Sequence, residues 1–278
     1  MPDDAGAVVG PFCVDAHAHA YPGAGHGPDE VFAAALRHAR AFDAAAVPVL
    51  CLTQTSRDSV YDRWAAAGRA GGFELHDTGS PAGRWAERGA DRLLLIAGRQ
   101  LITPERLEVL AIGTDAAAAS LTAADLTGTV RRVRDTGAWP VLPYGFGKWT
   151  GARGRTVRRL IDAARPGDFA VGDNGNRPRL LGCPRPLRRA AARGLGHLPG
   201  TDPLPLPGCR GQAGGYGVVR REALPRRGAV AELVRWFAAR PPDAETFGTH
   251  VPNVRAWLQQ VWLRWPAGQA GGGTAAHS

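Results

Sequence analysis

The chain has 278 residues, of which 44% are hydrophobic, and a formal net charge of +9, values that suit a soluble protein with a sizeable core. No apolar run approaches the roughly 20 residues of a membrane helix, and the acidic N-terminus MPDD lacks the pattern of a signal peptide, so we expect a cytoplasmic protein without membrane contact. The four cysteines are scattered without a CxxC pair, which argues against a disulfide framework and a zinc knot.

In the first half of the chain, short apolar runs alternate with segments of helical periodicity. Residues 1–10 are predicted to be a loose leader. The elements that follow are predicted, in order, as strand 12–15, helix 29–42, strand 46–53, helix 58–70, and strands 73–78 and 92–103.

The alternation continues in the second half. The predicted elements there are strand 107–113, helix 121–136, strand 139–144, helix 153–164, strand 168–173, helix 186–193, strand 196–202, and helices 229–239 and 254–265. Residues 266–278 are rich in Gly and Ala and are predicted to be disordered. Alternating strands and helices predict a parallel sheet, and seven or eight such strands predict a closed TIM-like (β/α) barrel, formed by one domain over residues 11–265.

Two histidines stand out at the end of the first strand. His17 and His19 are two residues apart, so both side chains lie on one face of the strand, at the edge where a barrel carries its active site. Paired imidazoles suit a divalent transition metal such as Zn, Mn or Fe. Asp15 shares this face and is predicted either to bind the metal or to orient a ligand. The alternative is a pair of surface histidines in a loop.

This segment, VDAHAHAYPGAGHGPDEVFAAALRHARAF, resembles the opening motif of the PHP (polymerase and histidinol phosphatase) family, an Asp-x-His-x-His strand end followed by a loop and a helix. The outline continues in LLLIAGRQLITPERLEVLAIGT, where Gln100 and Glu108 stand at places comparable to family ligands. It ends in LPGTDPLPLPG, which keeps Asp202 of the last motif. The resemblance covers roughly residues 12–205 and implies a PHP-like barrel with metal at its mouth, bound by His17, His19 and Asp202, with Glu108 as a further candidate.

Several positions depart from the family pattern. Thr53, Gln54 and Thr55 replace a Thr-Asp-His step, Tyr144 stands in a step that usually holds histidine, and Leu204 stands where the last histidine is expected. The remaining set also resembles the amidohydrolase barrel with one metal. That superfamily adds ligands from middle strands, for which the histidine candidates in predicted strands are His76 and His197.

Two further segments follow predicted strands and carry polar groups. Lys148 is the single lysine among 34 basic residues, and its compact ammonium group can bind a phosphate or carboxylate or act as an acid or base. The segment that begins with Asp173 offers a ligand or base in Asp173 itself, a polar pocket wall in Asn174 and an anion clamp in Arg177. The alternatives are a chance lysine and a structured turn.

These features predict a metal-dependent hydrolase that acts on a phosphoester or another anionic small molecule through a metal-activated water. Asp202 would be a further metal ligand or the base, while Lys148 and Arg177 would bind the anionic group. One alternative is a degenerate barrel without catalysis that acts as a binding or scaffold protein. Others are an isomerase or lyase that uses Lys148, and a nucleic-acid binder, which the absence of aromatic residues between the arginines disfavours.

Overall fold

The computed structural model of the chain describes residues 6–55, 60–145, 147–178, 180, 182–209, 211–239 and 243–250, which contain fourteen strands and seven α-helices. The strands are β1 (Ala7–Val8), β2 (Phe12–Ala18), β3 (Val47–Gln54), β4 (Arg69–Ala70), β5 (Phe73–Asp77), β6 (Gly83–Arg88), β7 (Asp91–Ile102), β8 (Glu108–Ile112), β9 (Trp139–Pro143), β10 (Ala170–Gly172), β11 (Gly196–His197), β12 (Tyr216–Arg220), β13 (Leu224–Pro225) and β14 (Thr246–Gly248). The helices are α1 (Pro28–Phe42), α2 (Val60–Ala67), α3 (Ala118–Leu121), α4 (Leu126–Asp135), α5 (Gly151–Ala163), α6 (Arg185–Ala192) and α7 (Ala229–Ala239).

Twelve of these strands form one mixed sheet in the order β11-β10-β9-β8-β7-β3-β2-β12-β14, and the meander β4-β5-β6 is attached to β7. Six strands, β2, β3, β7, β9, β10 and β11, run in one direction, but β8 lies between β7 and β9 and is antiparallel to both. The predicted closed barrel of seven or eight parallel strands, TIM-like or PHP-like, is therefore wrong. The sheet is instead a curled, mixed half-barrel.

The direction of β8 follows from the length of the connection before it. Residues 103–107 are the whole connection between β7 and β8. A parallel neighbour needs a crossover of about a dozen residues or more, whereas a few residues suffice for a hairpin. Here the Thr103 amide donates to the Leu107 carbonyl at 2.9 Å, and the Arg106 amide donates to the Thr103 carbonyl at 2.8 Å, which closes a tight turn. Both strands lie close to their predicted positions, but their relative direction was mispredicted.

The curl of the sheet brings its two distant regions together. The segment 199–202, which follows β11, returns to the carboxyl end of β2. The Ala16 amide donates to the Pro199 carbonyl at 3.3 Å, and the Asp202 amide donates to the His17 carbonyl at 2.7 Å. The chain ends of β2, β10 and β11 consequently meet at one edge of the sheet.

The central strands are buried on both faces. Every residue of β2 is buried, as are seven of the eight residues of β3, and buried residues of helix α1 belong to the same core cluster as both strands. On α1, Phe32 is fully buried and its ring meets Phe73 edge to face at 5.2 Å and Trp64 at 5.5 Å. A second cluster packs helices α3 to α6 against β8, β9 and β10. This packing makes β2 a rigid support for the residues at its end.

Some predicted helices match the structure closely, and some strands were not predicted. The helices predicted at 29–42 and 229–239 are confirmed as α1 and α7, whereas β6 and β12 were missed. Part of the predicted leader, Ala7–Val8, pairs with Leu224–Pro225. The helix predicted at 254–265 and the tail at 266–278 lie outside the described residues. Within the described residues, no helix combines the length and apolarity needed to cross a membrane.

Candidate metal centre

His17 and His19 lie at the carboxyl end of β2, and both are buried. The pairing of β2 with β3 shifts register between Asp15 and Ala18, which distorts the strand just where the histidines stand. Their Nε2 atoms face each other at 3.0 Å. The prediction that both imidazoles share one face of the strand is confirmed, and the alternative of two solvent-exposed histidines is wrong.

Asp202 completes the cluster from the other side. It has a positive φ of 45°, a sparsely populated conformation for a residue other than glycine, and its backbone amide is fixed by the His17 carbonyl. Its Oδ1 lies 3.5 Å from each of the two histidine Nε2 atoms. Among the described residues, these three form the group of His, Cys, Asp and Glu side chains with geometry suited to a metal ion, their ligand atoms lying within 4.8 Å of one another.

The protonation of the cluster is compatible with a cation. Burial, followed by the neighbouring His17, lowers the pKa of His19 to about 3, so His19 is neutral and has a lone pair to offer. Burial alone would raise the pKa of Asp202, but His17, His19 and Lys148 outweigh it and hold the pKa below its ordinary value. The cluster thus offers neutral imidazole nitrogen and an ionised carboxylate.

The distances of the cluster also fit a metal. Tetrahedral Zn²⁺ with bonds of about 2.0–2.1 Å places its ligand atoms about 3.3 Å apart. The three separations here are 3.0, 3.5 and 3.5 Å. The residues present therefore fit a divalent transition metal.

Asp15 lies next to this cluster, and all of its acceptor positions are used in hydrogen bonds. Its fully buried carboxylate accepts from the His17 amide at 3.1 Å, the Thr201 amide at 2.9 Å and the Gly214 amide at 3.0 Å, and also from the Thr201 hydroxyl. Burial raises the pKa of Asp15 to about 6, against the effect of these donors. A carboxylate has about four acceptor positions, and four donors fill them. Of the two predicted roles, the geometry supports orientation and argues against Asp15 as a ligand.

Gly200 allows the segment 199–202 to lie directly against β2. A Cβ atom at this position would stand 2.3 Å from the His17 amide nitrogen and 2.7 Å from Asp15 Oδ1. Those separations are far shorter than a van der Waals contact, so a side chain at Gly200 would push Asp202 away from the histidines.

The loop after β10 holds Asp202 in place. Asn174 donates its Nδ2 to Asp202 Oδ2, which leaves Oδ1 facing the histidines. Asn176 donates its Nδ2 to the Asp202 carbonyl at 2.5 Å. The role of Asn174 as a wall of the substrate pocket stays a prediction, and the contact that the structure shows is the hydrogen bond that positions Asp202.

Asp173 and Arg177, predicted as a base and an anion clamp, bind each other. Arg177 donates to both oxygens of Asp173 from Nε and Nη2, at 2.8–3.1 Å, and Nε2 of His250 lies 2.8 Å from Asp173 Oδ2. Burial opposes ionisation of Asp173, but the hydrogen bonds from His250 and Arg177 outweigh it and hold its pKa at about 2. Both predicted roles are therefore unsupported. A carboxyl group as acidic as that of Asp173 is a poor base at neutral pH, and the guanidinium of Arg177 is already paired with Asp173.

Lys148 and Glu108 also form a pair. Because β8 runs antiparallel to its neighbours, its first residue, Glu108, lies at the edge where the other strands end, and the Lys148 ammonium contacts its carboxylate at 2.6 Å. Glu108, predicted as a metal ligand, is therefore paired with the Lys148 ammonium instead. The Lys148 side chain is half exposed, and its charge influences the pKa values of both His19 and Asp202. Of the two residues predicted to bind an anion, Arg177 is buried and Lys148 is half exposed near the cluster.

His76 lies apart from the cluster. It stands on β5 in the meander with its side chain 44% exposed, and its Nε2 is 3.7 Å from Glu87. The structure thus does not bring this predicted ligand to His17 and His19. His197, the other histidine considered, is on β11 two residues before the segment 199–202.

The positions that depart from the PHP pattern have structural contacts instead. Gln54 accepts from the Tyr61 amide at 3.0 Å with its side-chain oxygen, which fixes the start of α2, and Thr53 donates to the Ala18 carbonyl at 3.3 Å. Neither supplies a metal ligand.

Sequence reasoning missed His250, Tyr21 and His26. Tyr21 stacks on His19 with ring centroids 5.6 Å apart, and buried His26 lies edge to face on Tyr21 and 3.1 Å from the Leu206 carbonyl. The segment HAYPGAGH places these aromatic side chains within a few residues of the His17–His19 pair, which is the signal that could have identified them. His250, more than seventy residues from Asp173, has no such local signal.

Comparison with known proteins is informative about the fold alone. No known protein family matches the sequence, and no curated protein is significantly similar to it. The crystal structure of PsfC from Pseudomonas syringae PB-5123 is similar in fold, with a TM-score of 0.55 and 15% sequence identity, over 90% of this chain and 98% of that chain.

Proposed function

We propose that this protein binds one divalent transition metal ion and is a metal-dependent hydrolase of a phosphoester or another anionic small molecule. The observation that carries the proposal is the convergence of two buried histidine Nε2 atoms and one carboxylate oxygen at 3.0–3.5 Å from one another. Three protein ligands are the usual number at a catalytic metal, which keeps a further position for water or substrate.

The ligand residues are His17, His19 and Asp202, and the ion would be Zn, Mn or Fe. Such an ion, when bound, lowers the pKa of a coordinated water and polarises the bond to be broken. The chain supplies the arrangement: Asp15 fixes the backbone at His17, and Asn174 turns Asp202 so that Oδ1 faces the imidazoles. These contacts are the outer-shell hydrogen bonds that keep ligands aligned.

The anionic part of the substrate would be bound by Lys148. Its ammonium is half exposed and near enough to the cluster to affect His19 and Asp202, whereas Arg177 is already bound to Asp173. Substrate would compete with Glu108 for Lys148. Because the Lys148 ammonium contacts the Glu108 carboxylate at 2.6 Å, a Schiff-base role would require this ion pair to break first.

A second candidate is a metal-binding protein without catalysis. It is favoured by one observation: Asp173 and Glu108, two of the other carboxylates predicted to take part, are each paired with a cation. If the protein were a hydrolase, Asp202 would have to serve as both metal ligand and base, since no other predicted carboxylate among the described residues is left for the second role.

Elemental analysis of purified protein tests the metal proposal. We expect about one equivalent of Zn, Mn or Fe in the wild type, loss of the metal in H17A/H19A, and retention in the matched control H76A, whose histidine is exposed and outside the cluster. Wild type and H17A/H19A that are both metal-free after growth with added metal would refute the proposal.

Hydrolysis is tested separately with p-nitrophenyl phosphate and bis(p-nitrophenyl) phosphate as probes. We expect metal-dependent turnover of at least one probe by the wild type and none by H17A/H19A. Metal without turnover of either probe would contradict hydrolysis of these esters and favour the second candidate.

A further inference from the structure

A second concave site lies between helices α5 and α6, away from the metal centre. It is a cavity of about 430 Å³ whose lining residues include none of His17, His19 and Asp202. That volume lies within the range of about 300–1,000 Å³ that is typical of small-molecule sites.

Four arginines form the walls of this cavity, two from each helix. Arg155 and Arg158 lie about one turn apart on α5, and Arg185 and Arg189 lie about one turn apart on α6. The floor is apolar and comprises Trp149, Val157 and Ile161, which belong to the core cluster beneath the helices. Positively charged walls above an apolar floor suit a ligand that has anionic groups and a less polar body.

The described residues compensate the positive charge of these arginines only in part. Arg189 is paired with Asp162, with Nη2 and Oδ2 2.9 Å apart. By contrast, Arg155, Arg158 and Arg185 make no ion pair with a described residue, although Arg158 is close enough to Asp162 for its charge to help lower the pKa of that carboxyl. Three guanidinium groups that form no ion pair within the described part of the chain surround one concavity. Together they focus a positive potential, and each can donate two parallel hydrogen bonds to a phosphate.

We propose that this cavity binds a small organic molecule that carries two or more phosphate groups. The phosphates are bound by Arg155, Arg158 and Arg185, and the organic body lies on the apolar floor. A small ligand fits better than a nucleic acid because the charges surround a cavity of limited volume. Among the described lining residues, moreover, Trp149 is the single aromatic side chain, and it is buried.

The proposal is tested by titrating the full-length chain with ATP in the presence of EDTA, so that ATP cannot bind through a metal ion. We expect saturable binding by the wild type and affinity at least tenfold weaker in R155Q/R185Q, which removes one charge from each wall. The matched control R69Q/R131Q removes two exposed arginines elsewhere, on β4 and α4, and should change the affinity less than twofold. H17A/H19A should bind ATP as the wild type does.

Several outcomes would overturn the proposal. Absence of ATP binding, or equal weakening in both double variants, would show that the cavity is not a polyphosphate site. A mixed-sequence 20-residue single-stranded DNA that binds at least tenfold more tightly, and that ATP does not displace, would show that the arginines serve a nucleic acid instead. Unchanged melting temperature of both double variants ensures that lost binding reflects lost charge.

Discussion

The Asn174 carboxamide determines which oxygen of Asp202 faces the two histidines. Its Nδ2 donates to Oδ2, and its Oδ1 accepts from the Asn176 amide at 2.7 Å, so one side chain joins the turn after β10 to the proposed metal ligand. Without it, Asp202 can rotate away from the histidines.

We therefore expect Asn174→Ala to weaken Zn²⁺ or Mn²⁺ binding by about 10- to 100-fold, the usual effect of removing a hydrogen bond to a metal ligand. Competition with a fluorescent chelator measures the affinity. Affinity equal to that of the wild type would show that Asp202 does not depend on Asn174.

A different residue controls stability at low pH. Asp173 has a pKa of about 2 in the folded chain, below its ordinary value of 3.8. A depressed carboxyl pKa stabilises the fold above the unfolded pKa, and the stabilisation is lost as the pH falls through the folded pKa. The difference corresponds to about 2 kcal/mol.

Asp173→Asn should therefore be less stable than the wild type at pH 6, and the gap should shrink as the pH falls from about 4 toward 2. Urea unfolding of both proteins at a series of pH values measures it. A gap that does not change with pH would mean that His250 and Arg177 do not hold Asp173 ionised.

At the scale of elements, the return of segment 199–202 to β2 builds the cluster, and Gly200 makes this close approach sterically allowed. A methyl group 2.3 Å from the His17 amide cannot be accommodated without movement of backbone. Overpacking of this kind costs about 1–3 kcal/mol.

Gly200→Ala should thus lower the free energy of unfolding by about that amount and weaken metal binding. The matched control is Gly23→Ala, where an added Cβ meets nothing within 4 Å and φ is not positive. Thermal unfolding and metal titration of both variants check this, and equal behaviour of the two would contradict the role given to Gly200.

For the whole molecule, a bound metal would join β2 to the segment after β11, which are far apart in the sequence. Binding to the folded chain alone adds about 2.7 kcal/mol when free metal is a hundredfold above its Kd. For a protein of this size that is a rise of roughly 5–10 °C in melting temperature.

We expect this rise in the wild type on addition of metal, its reversal by EDTA, and neither change in H17A/H19A. Scanning calorimetry of the two proteins with added metal, and with EDTA, measures the changes under the same conditions. A melting temperature that does not depend on metal in the wild type would contradict the proposed centre.

The local part of the fold could be predicted from sequence, and the pairing of strands could not. Apolar runs located β3, β7, β8 and β9 because a strand buried on both faces must be apolar throughout. Strand β6 was missed because the segment GRWAER mixes charged and apolar residues on an outer hairpin. The direction of β8 depended on a turn of five residues, which the barrel interpretation overlooked.

The sequence by itself determined that His17 and His19 share one face of the first central strand, since the spacing of two residues is a property of any strand. It also determined that Asp202 is available near the end of the last parallel strand. Only the tertiary structure decided which polar residues are free to act. Whether Asp173, Arg177, Glu108 and Lys148 face a substrate or one another depends on the curl of the sheet and on the reversal of β8. All four are paired inside the protein, Asp173 with Arg177 and Glu108 with Lys148, and of the four the Lys148 side chain is half exposed.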